Sequence, residues 1–149
     1  AVMVGSGTAE VIQSSDGSVV FRVPAGERVG DAQVRVSASP GAPFDDIGLT
    51  FAYAAISRVT HLSPRICSTE GGCLLSVHGS DFISEDGNVP VRIGDSTVRV
   101  LGKLVSSTLV TMTAPALPEG TVPVEMSNND GADWTSDGAL FTYRDLPFV

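Results

Sequence analysis

The chain has 149 residues, 42% of them hydrophobic and 17% charged, which permits a buried core and excludes a disordered polymer. Its 17 acidic and 9 basic residues give a net charge of −8, which opposes binding to nucleic-acid phosphates and anionic lipid. No run approaches the length and apolarity of a membrane-spanning helix. The chain starts with neither Met nor a basic signal-peptide segment, so we interpret it as a mature or excised segment.

The first third of the sequence consists of short apolar runs separated by Gly, Pro, Asp and Ser. Polar residues alternating with β-branched or aromatic ones are typical of strands with one buried face. No stretch keeps the apolar stripe of an amphipathic helix for more than a turn or two. The pattern predicts antiparallel strands at Ser18–Val23, Ala32–Ser37 and Leu49–Tyr53.

The rest of the chain contains seven more strand-like runs within about 90 residues, and this spacing predicts an all-β, immunoglobulin-like sandwich. Pro90 and Pro123 lack an N–H donor, so we expect each at a sheet edge or a bulge. The predicted strands are Ile56–Leu62, Leu74–His78, Val89–Ile93, Thr97–Leu101, Leu109–Thr113, Thr121–Ser127 and Ala139–Tyr143.

The first third of the chain repeats the last third at an offset of about 90 residues, the length of one sandwich. The offset stays nearly constant along the whole overlap, which indicates a tandem repeat. The matching segments are Val4-Gly5 with Ile93-Gly94, Val23-Pro24 with Ala114-Pro115, Gly30 with Gly120, Val34–Ser37 with Val124–Ser127, and Leu49–Tyr53 with Leu140–Tyr143.

The repeat is incomplete, because Ile56–Val91 has no counterpart ahead of Val4. We therefore predict that residues 1–55 form a partial sandwich without its first strands and that residues 56–145 form a complete one. A sandwich without its opening strands exposes strand edges and one apolar face, so we expect an outside strand or chain to cover it. Residues 146–149 are predicted to start a following linker or repeat.

Two cysteines, Cys67 and Cys73, are separated by five residues that include a Gly-Gly pair. Such a short segment can fold back so that the sulfurs meet, which favours a local disulfide and an oxidising compartment. The alternative is a pair of reduced thiols that only pack. A zinc site is disfavoured, because His61 and His78 lie in predicted strands without paired ligand spacing.

The motifs of the second repeat, in their order along the chain, resemble those of the IPT/TIG family. This family has an immunoglobulin-like (E-set) fold shared by plexins, Rel-type transcription factors and large cell-surface proteins. The resemblance covers nearly all of this repeat and only the second half of the family pattern in the first. The motifs are Ile56–Pro64, Gly71–Phe82, Val91–Gly94, Ala114-Pro115, Gly120, Val124–Asn128 and Phe141–Tyr143.

One residue departs from the family pattern: Cys73 stands where the family usually has Thr. Paired with Cys67, it implies a disulfide in the turn between the first two strands, as in some extracellular members. This departure disfavours the intracellular transcription-factor branch, and the scattered basic residues disfavour it further.

The sequence gives only weak indications of a catalytic or a metal-binding site. His61 and His78 are the only histidines, and strand positions favour packed or surface side chains over a general base. No nucleophile elbow or phosphate-binding Gly loop occurs, so we predict a protein that is not an enzyme and needs no cofactor. The acidic loops at 84–88 and 129–133 lack EF-hand spacing and are interpreted as solvated turns, not calcium sites.

The polar loop before the last strand contains the only tryptophan, Trp134. Together with Asn129, Asp130 and Asp133 it forms a candidate contact loop, because exposed loop aromatics often bind partners. The alternative is that the indole folds over the end of its own sandwich.

The leading functional hypothesis is a non-catalytic structural or adhesive segment of a tandem-repeat extracellular or cell-surface protein, including a part of a filament or appendage. Its expected partners are neighbouring repeats, other copies or a surface receptor, with no nucleic acid and no membrane insertion. The alternative, which the family resemblance supplies, is an accessory module of a secreted polysaccharide-acting enzyme.

Overall fold

The chain folds into β-strands joined by turns and loops in a computed structural model that describes residues 1–26, 28–95 and 98–147. It divides into a first unit, Ala1–Ala55, and a second unit that begins at Ile56. No helix occurs in the described ranges, and none there is therefore long and apolar enough to cross a membrane.

The first unit contains one five-stranded antiparallel sheet. The order across this sheet is β3-β2-β1-β4-β5. Val2 faces Ala9 on one side and Val36 on the other, so the shortest strand lies at the centre. The strands are β1 (Val2–Val4), β2 (Gly7–Ser15), β3 (Ser18–Arg22), β4 (Gly30–Val36) and β5 (Asp45–Tyr53).

One face of this first sheet is apolar and only partly covered. Its register aligns Val4 with Val34, Val34 with Leu49, and Ala32 with Phe51, so these side chains share a face. Val2, Val4, Ala9 and Val34 form a small buried cluster. On the same face, however, Val11, Val19, Leu49 and Phe51 are exposed. We call this surface the open face.

The second unit contains eight strands in the order β6-β8-β11-β10-β9-β12-β13-β7. All pairs are antiparallel except β13 with β7, which is parallel. The strands are β6 (Arg58–Ser63), β7 (Ile66–Ser68), β8 (Leu74–Ser80), β9 (Asn88–Ile93), β10 (Arg99–Ser106), β11 (Leu109–Thr113), β12 (Gly120–Met126) and β13 (Leu140–Arg144).

The second unit encloses a single hydrophobic core. β12 pairs with β13 up to Pro123 and with β9 from Val124 onward. The sheet bends at this change of partner, and its two halves pack on the same core. The largest fully buried side chains include Tyr143, Phe82, Phe141, Leu75 and Ile93. Inward residues alternate with outward ones along β11 and β13, as expected for sandwich strands.

The structure contains three strands that the sequence pattern did not predict: β1, β2 and β7. β1 and β7 have only three residues each, and β7 is held by a parallel partner that is distant in sequence. The predicted strand at Thr97–Leu101 is observed from Arg99, and Thr97 lies outside the described residues. Of the predicted start at 146–149, only Leu146 and Pro147 are described, and both are exposed.

The expectation that Pro90 and Pro123 lie at an edge or a bulge is wrong. Both are in interior strands, and Pro90 is buried. Pro123 lies where β12 changes partner. The Pro90 carbonyl accepts a bond from Ser127 N at 3.0 Å, just past the end of the ladder between β9 and β12. Each missing N–H therefore falls where regular pairing ends or changes.

Candidate interaction surface

A disulfide closes the turn between β7 and β8. Cys67 and Cys73 are bonded, with their Cα atoms 6.3 Å apart. Gly71 has a φ of 70°, and a Cβ there would lie 2.6 Å from the Ala114 carbonyl oxygen, so glycine is required. The neighbouring Gly72 N–H donates to the same oxygen at 2.8 Å. The predicted disulfide is confirmed, and the Gly72 hydrogen bond holds the turn that it closes against the segment after β11.

The predicted contact loop is ordered by its own polar side chains. Ser127 Oγ accepts the Gly131 N–H at 2.7 Å and donates to Asn129 Oδ1 at 3.0 Å. Asn129 Nδ2 donates to Asp133 Oδ2 at 2.7 Å, and Asp133 N–H donates back to Asn129 Oδ1 at 2.8 Å. Asp130 adopts a φ of 57° at the tip, a conformation that Asp tolerates. Asn129, Asp130 and Asp133 therefore lie together on one preformed exposed loop.

Trp134 packs against two arginines of its own unit. The guanidinium carbon of Arg92 lies 4.6 Å from the indole centroid, and that of Arg99 lies 5.2 Å away. The two arginines face each other across β9 and β10, and Arg92 is also ion-paired with Glu125. The indole is half-buried, consistent with cation–π contacts to its neighbours.

A surface groove of about 700 Å³ lies between two loops of the second unit. One loop is the segment Ser84–Asn88, and the other contains Asn128, Asn129 and Asp130. The Asn128 side chain ties its loop to the residues just before Ser84, because its Nδ2 donates to the Asp81 carbonyl at 2.8 Å. The wall also presents Ile83 and Leu101, both exposed. The groove combines polar loop atoms with apolar side chains.

The acidic loop that borders this groove is internally bonded. The Asn88 backbone N–H, the Asn88 side chain and the Ser84 hydroxyl all donate to Asp86, and these bonds hold the pKa of that carboxyl below its usual value. Its oxygens are thus engaged in a turn. In the ranges that the structure describes, no cluster of three or more His, Cys, Asp or Glu is placed to hold a metal ion.

The two histidines stack on each other. Their rings lie on the adjacent strands β6 and β8, with centroids 4.3 Å apart and planes 3° apart. Thr60 Oγ1 lies 3.3 Å from His61 Nδ1 and donates to the His78 carbonyl at 3.1 Å. The pairing follows from a register shift between Val59 and His61. The sequence placed both residues on strands and did not indicate that they are neighbours.

The two equivalent tyrosines, Tyr53 and Tyr143, have different surroundings. The Tyr53 hydroxyl donates to the Pro24 carbonyl at 2.8 Å. Tyr143 is fully buried, and among the described residues its hydroxyl has no hydrogen-bond partner. Burial raises the pKa of the Tyr143 hydroxyl above its usual value. Both tyrosines pack edge-on against a phenylalanine two residues earlier in the strand.

A family comparison matches most of the second unit. The profile described as "IPT/TIG domain" matches residues 57–143. Mouse (Mus musculus) fibrocystin-L is 32% identical over 97 residues, which is 65% of this chain and 2% of that protein. The chain thus spans a very small part of this much longer relative.

Two solved structures of the plexin A4 extracellular region share the fold. The structure of domains 1 to 8 has a TM-score of 0.55 and 15% identity, covering 95% of this chain and 14% of plexin. The structure of domains 1 to 10 has a TM-score of 0.53 and 20% identity, covering 95% and 13%. At these identities the likeness concerns the fold alone, and it agrees with the predicted immunoglobulin-like β-sandwich.

Proposed function

Because the chain belongs to the IPT/TIG domain family, we propose that it is a non-catalytic structural or adhesive segment of a tandem-repeat extracellular or cell-surface protein. The supporting observation is the repeat in three dimensions. The order β3-β2-β1-β4-β5 of the first unit corresponds to β11-β10-β9-β12-β13 of the second. The two units follow each other with only Ala54 and Ala55 between β5 and the start of the second unit.

The extracellular assignment is supported by the disulfide and by the relatives. Disulfides persist in oxidising compartments and are rare in the cytosol. The chain is similar in sequence to fibrocystin-L and in fold to the extracellular region of plexin A4. In such a setting, the acidic surface disfavours nucleic acid and leaves proteins as the expected partners.

The contact surface in this proposal is the loop with Asn129, Asp130, Asp133 and Trp134. Its internal hydrogen bonds hold it in one conformation before binding, which lowers the ordering cost of association. Within the loop, Asp130 contributes an exposed carboxylate at the tip. We expect this loop to contact other copies of the repeat in a surface layer or filament.

The test compares self-association with sugar binding. Beads coated with the chain should cluster, and Asp130→Lys should reduce clustering, whereas Glu119→Lys should not. Glu119 is a matched control because it is also an exposed acid in a loop of the second unit. The same chain is applied to an array of polysaccharides. Saturable binding to a polysaccharide without bead clustering would contradict the proposal and favour an accessory module of a polysaccharide-acting enzyme.

A further inference from the structure

A β-bulge places the only two histidines of the chain side by side at the surface of the second unit. Val59 faces Gly79 and His61 faces His78, so Thr60 is an extra residue in β6 without a partner in β8. His61 is exposed and His78 is half-buried. The register therefore brings two imidazoles into one cross-strand row, although their spacing in the sequence is not that of paired ligands.

The two rings are parallel and close enough to share a bound ion. Their centroids are 4.3 Å apart and their planes differ by 3°. Within the ranges that the structure describes, neither ring is ion-paired with a carboxylate, and Thr60 Oγ1 is the hydrogen-bond partner of one ring nitrogen. No other side chain in those ranges is hydrogen-bonded to the imidazoles, so a ligand from solvent can reach them.

Thr60 determines which nitrogen of His61 can bind an ion. The Thr60 hydroxyl has one proton, which it donates to the His78 carbonyl oxygen at 3.1 Å. The same hydroxyl oxygen lies 3.3 Å from His61 Nδ1, so a hydrogen bond there requires a proton on Nδ1. A neutral imidazole with its proton on Nδ1 has its lone pair on Nε2. A hydrogen bond from the opposite ring nitrogen is also what orients metal-binding histidines in general.

We propose that His61 and His78 together bind a divalent transition-metal ion such as Zn²⁺, with Thr60 as a positioning residue. Imidazole nitrogen is a suitable ligand for Zn²⁺, Ni²⁺ and Cu²⁺, whereas Mg²⁺ and Ca²⁺ prefer oxygen ligands. Water fills the coordination positions that two imidazoles leave open. A site with two protein ligands is consistent with the described ranges, where no cluster of three or more such residues occurs.

Binding requires a small movement of the rings. A tetrahedral ion about 2.0–2.1 Å from two nitrogens holds those nitrogens about 3.3 Å apart. The ring centroids are 4.3 Å apart, so the rings must lean together at the edges that carry the binding nitrogens. Because His61 is exposed and lies outside the hydrophobic core, its ring can move without displacing a core side chain. The net charge of −8 also favours the approach of a cation.

The experiment titrates the untagged chain with zinc chloride in chelator-free buffer and follows the histidine ring signals by NMR. The chain has no other histidine, so these signals report on the site alone. We expect the signals of both rings to shift along one saturation curve, with one Zn²⁺ bound per chain in calorimetry. Calcium chloride should leave both rings unchanged.

Single substitutions distinguish a shared ion from two independent sites. His61→Gln and His78→Gln should each lower the Zn²⁺ affinity at least about tenfold, because one imidazole then binds without the other. Arg58→Gln is the matched control, since Arg58 is another exposed residue of β6, and it should retain the affinity. Trp134 fluorescence checks that each variant is folded. Should His78→Gln not fold, the result for His61→Gln decides, because His61 is exposed.

The role of Thr60 is tested by the position of the proton on His61. Thr60→Val should move this proton from Nδ1 toward Nε2 in the ¹⁵N spectrum and lower the Zn²⁺ affinity severalfold, whereas Thr60→Ser should preserve both. The same proton position and affinity in both variants would overturn the positioning role. The metal site itself is overturned if neither ring responds to millimolar Zn²⁺, if the two rings follow different saturation curves, or if His61→Gln retains the full affinity.

Discussion

Phe141→Ala should destabilise the second unit much more than Phe51→Ala destabilises the first, although both residues occupy the same position of the repeat. Phe141 is 0% exposed and lies in a closed core, where truncation of Phe to Ala costs about 3–5 kcal/mol. Phe51 is 38% exposed, and its surroundings are open to water, so no cavity forms. Complete burial of a Phe contributes roughly 1.5–3 kcal/mol to stability. In proportion to the buried fraction of its side chain, Phe51 should contribute about 1–2 kcal/mol.

The assay separates the two units with local probes. Trp134 is the only tryptophan, so its fluorescence during urea unfolding reports on the second unit. Native-state hydrogen exchange of β4 amides reports on the first unit. The free energy of unfolding is compared for each variant with that of the unchanged chain, provided that the urea dependence stays the same.

An equal loss of stability in Phe51→Ala and Phe141→Ala would contradict this expectation. An equal cost would mean that the Phe51 ring is fully covered in solution. A cost below about 1.5 kcal/mol for Phe141→Ala would instead mean that the second unit lacks the close-packed core described above.

Three further outcomes are expected. Tyr143→Phe should leave the free energy of unfolding unchanged or raise it by about 1 kcal/mol, because the hydroxyl that it removes has no partner among the described residues. Tyr53→Phe should lower the free energy of unfolding by about 1 kcal/mol, because it removes the hydrogen bond to the Pro24 carbonyl. A clear loss of stability in Tyr143→Phe would reveal a partner for its hydroxyl. Replacing Cys67 and Cys73 by Ser should cost the second unit about 2 kcal/mol in thermal unfolding, and no change would show that the crosslink contributes nothing. Because hydrogen bonds lower the pKa of Asp86, its turn should persist at any pH above 3.8, the usual pKa of an Asp carboxyl, and loosen only as the pH falls through the lowered pKa. A midpoint at or above pH 3.8 in an NMR titration of Asp86 would contradict this expectation.

Much of the fold could be predicted from local sequence patterns. Runs such as Leu109–Thr113 alternate cleanly and are strands with alternating burial. The strand β2 was missed because Gly7–Ser15 is mostly polar and exposed, and its strand conformation depends on pairing with β1 and β3. β7 was missed because a three-residue parallel strand leaves almost no periodic signal.

The candidate surface was predictable in composition and not in geometry. The sequence indicated a turn-rich loop at Asn129–Asp133, because Asn, Asp and Gly favour such conformations. It left the position of Trp134 open between partner contact and packing on its own unit. Arg92 and Arg99, which pack on the indole, come together only through the register of β9 with β10.

The sequence alone predicts the all-β class and the offset of about 90 residues between repeats. These features follow from local alternation and from comparison of the chain with itself. The folded structure was needed to reveal the parallel pairing of β7, the stacking of His61 on His78, and the interior positions of the two prolines. Such contacts join residues distant in sequence, and their register depends on how two strands pair, which neither strand specifies alone.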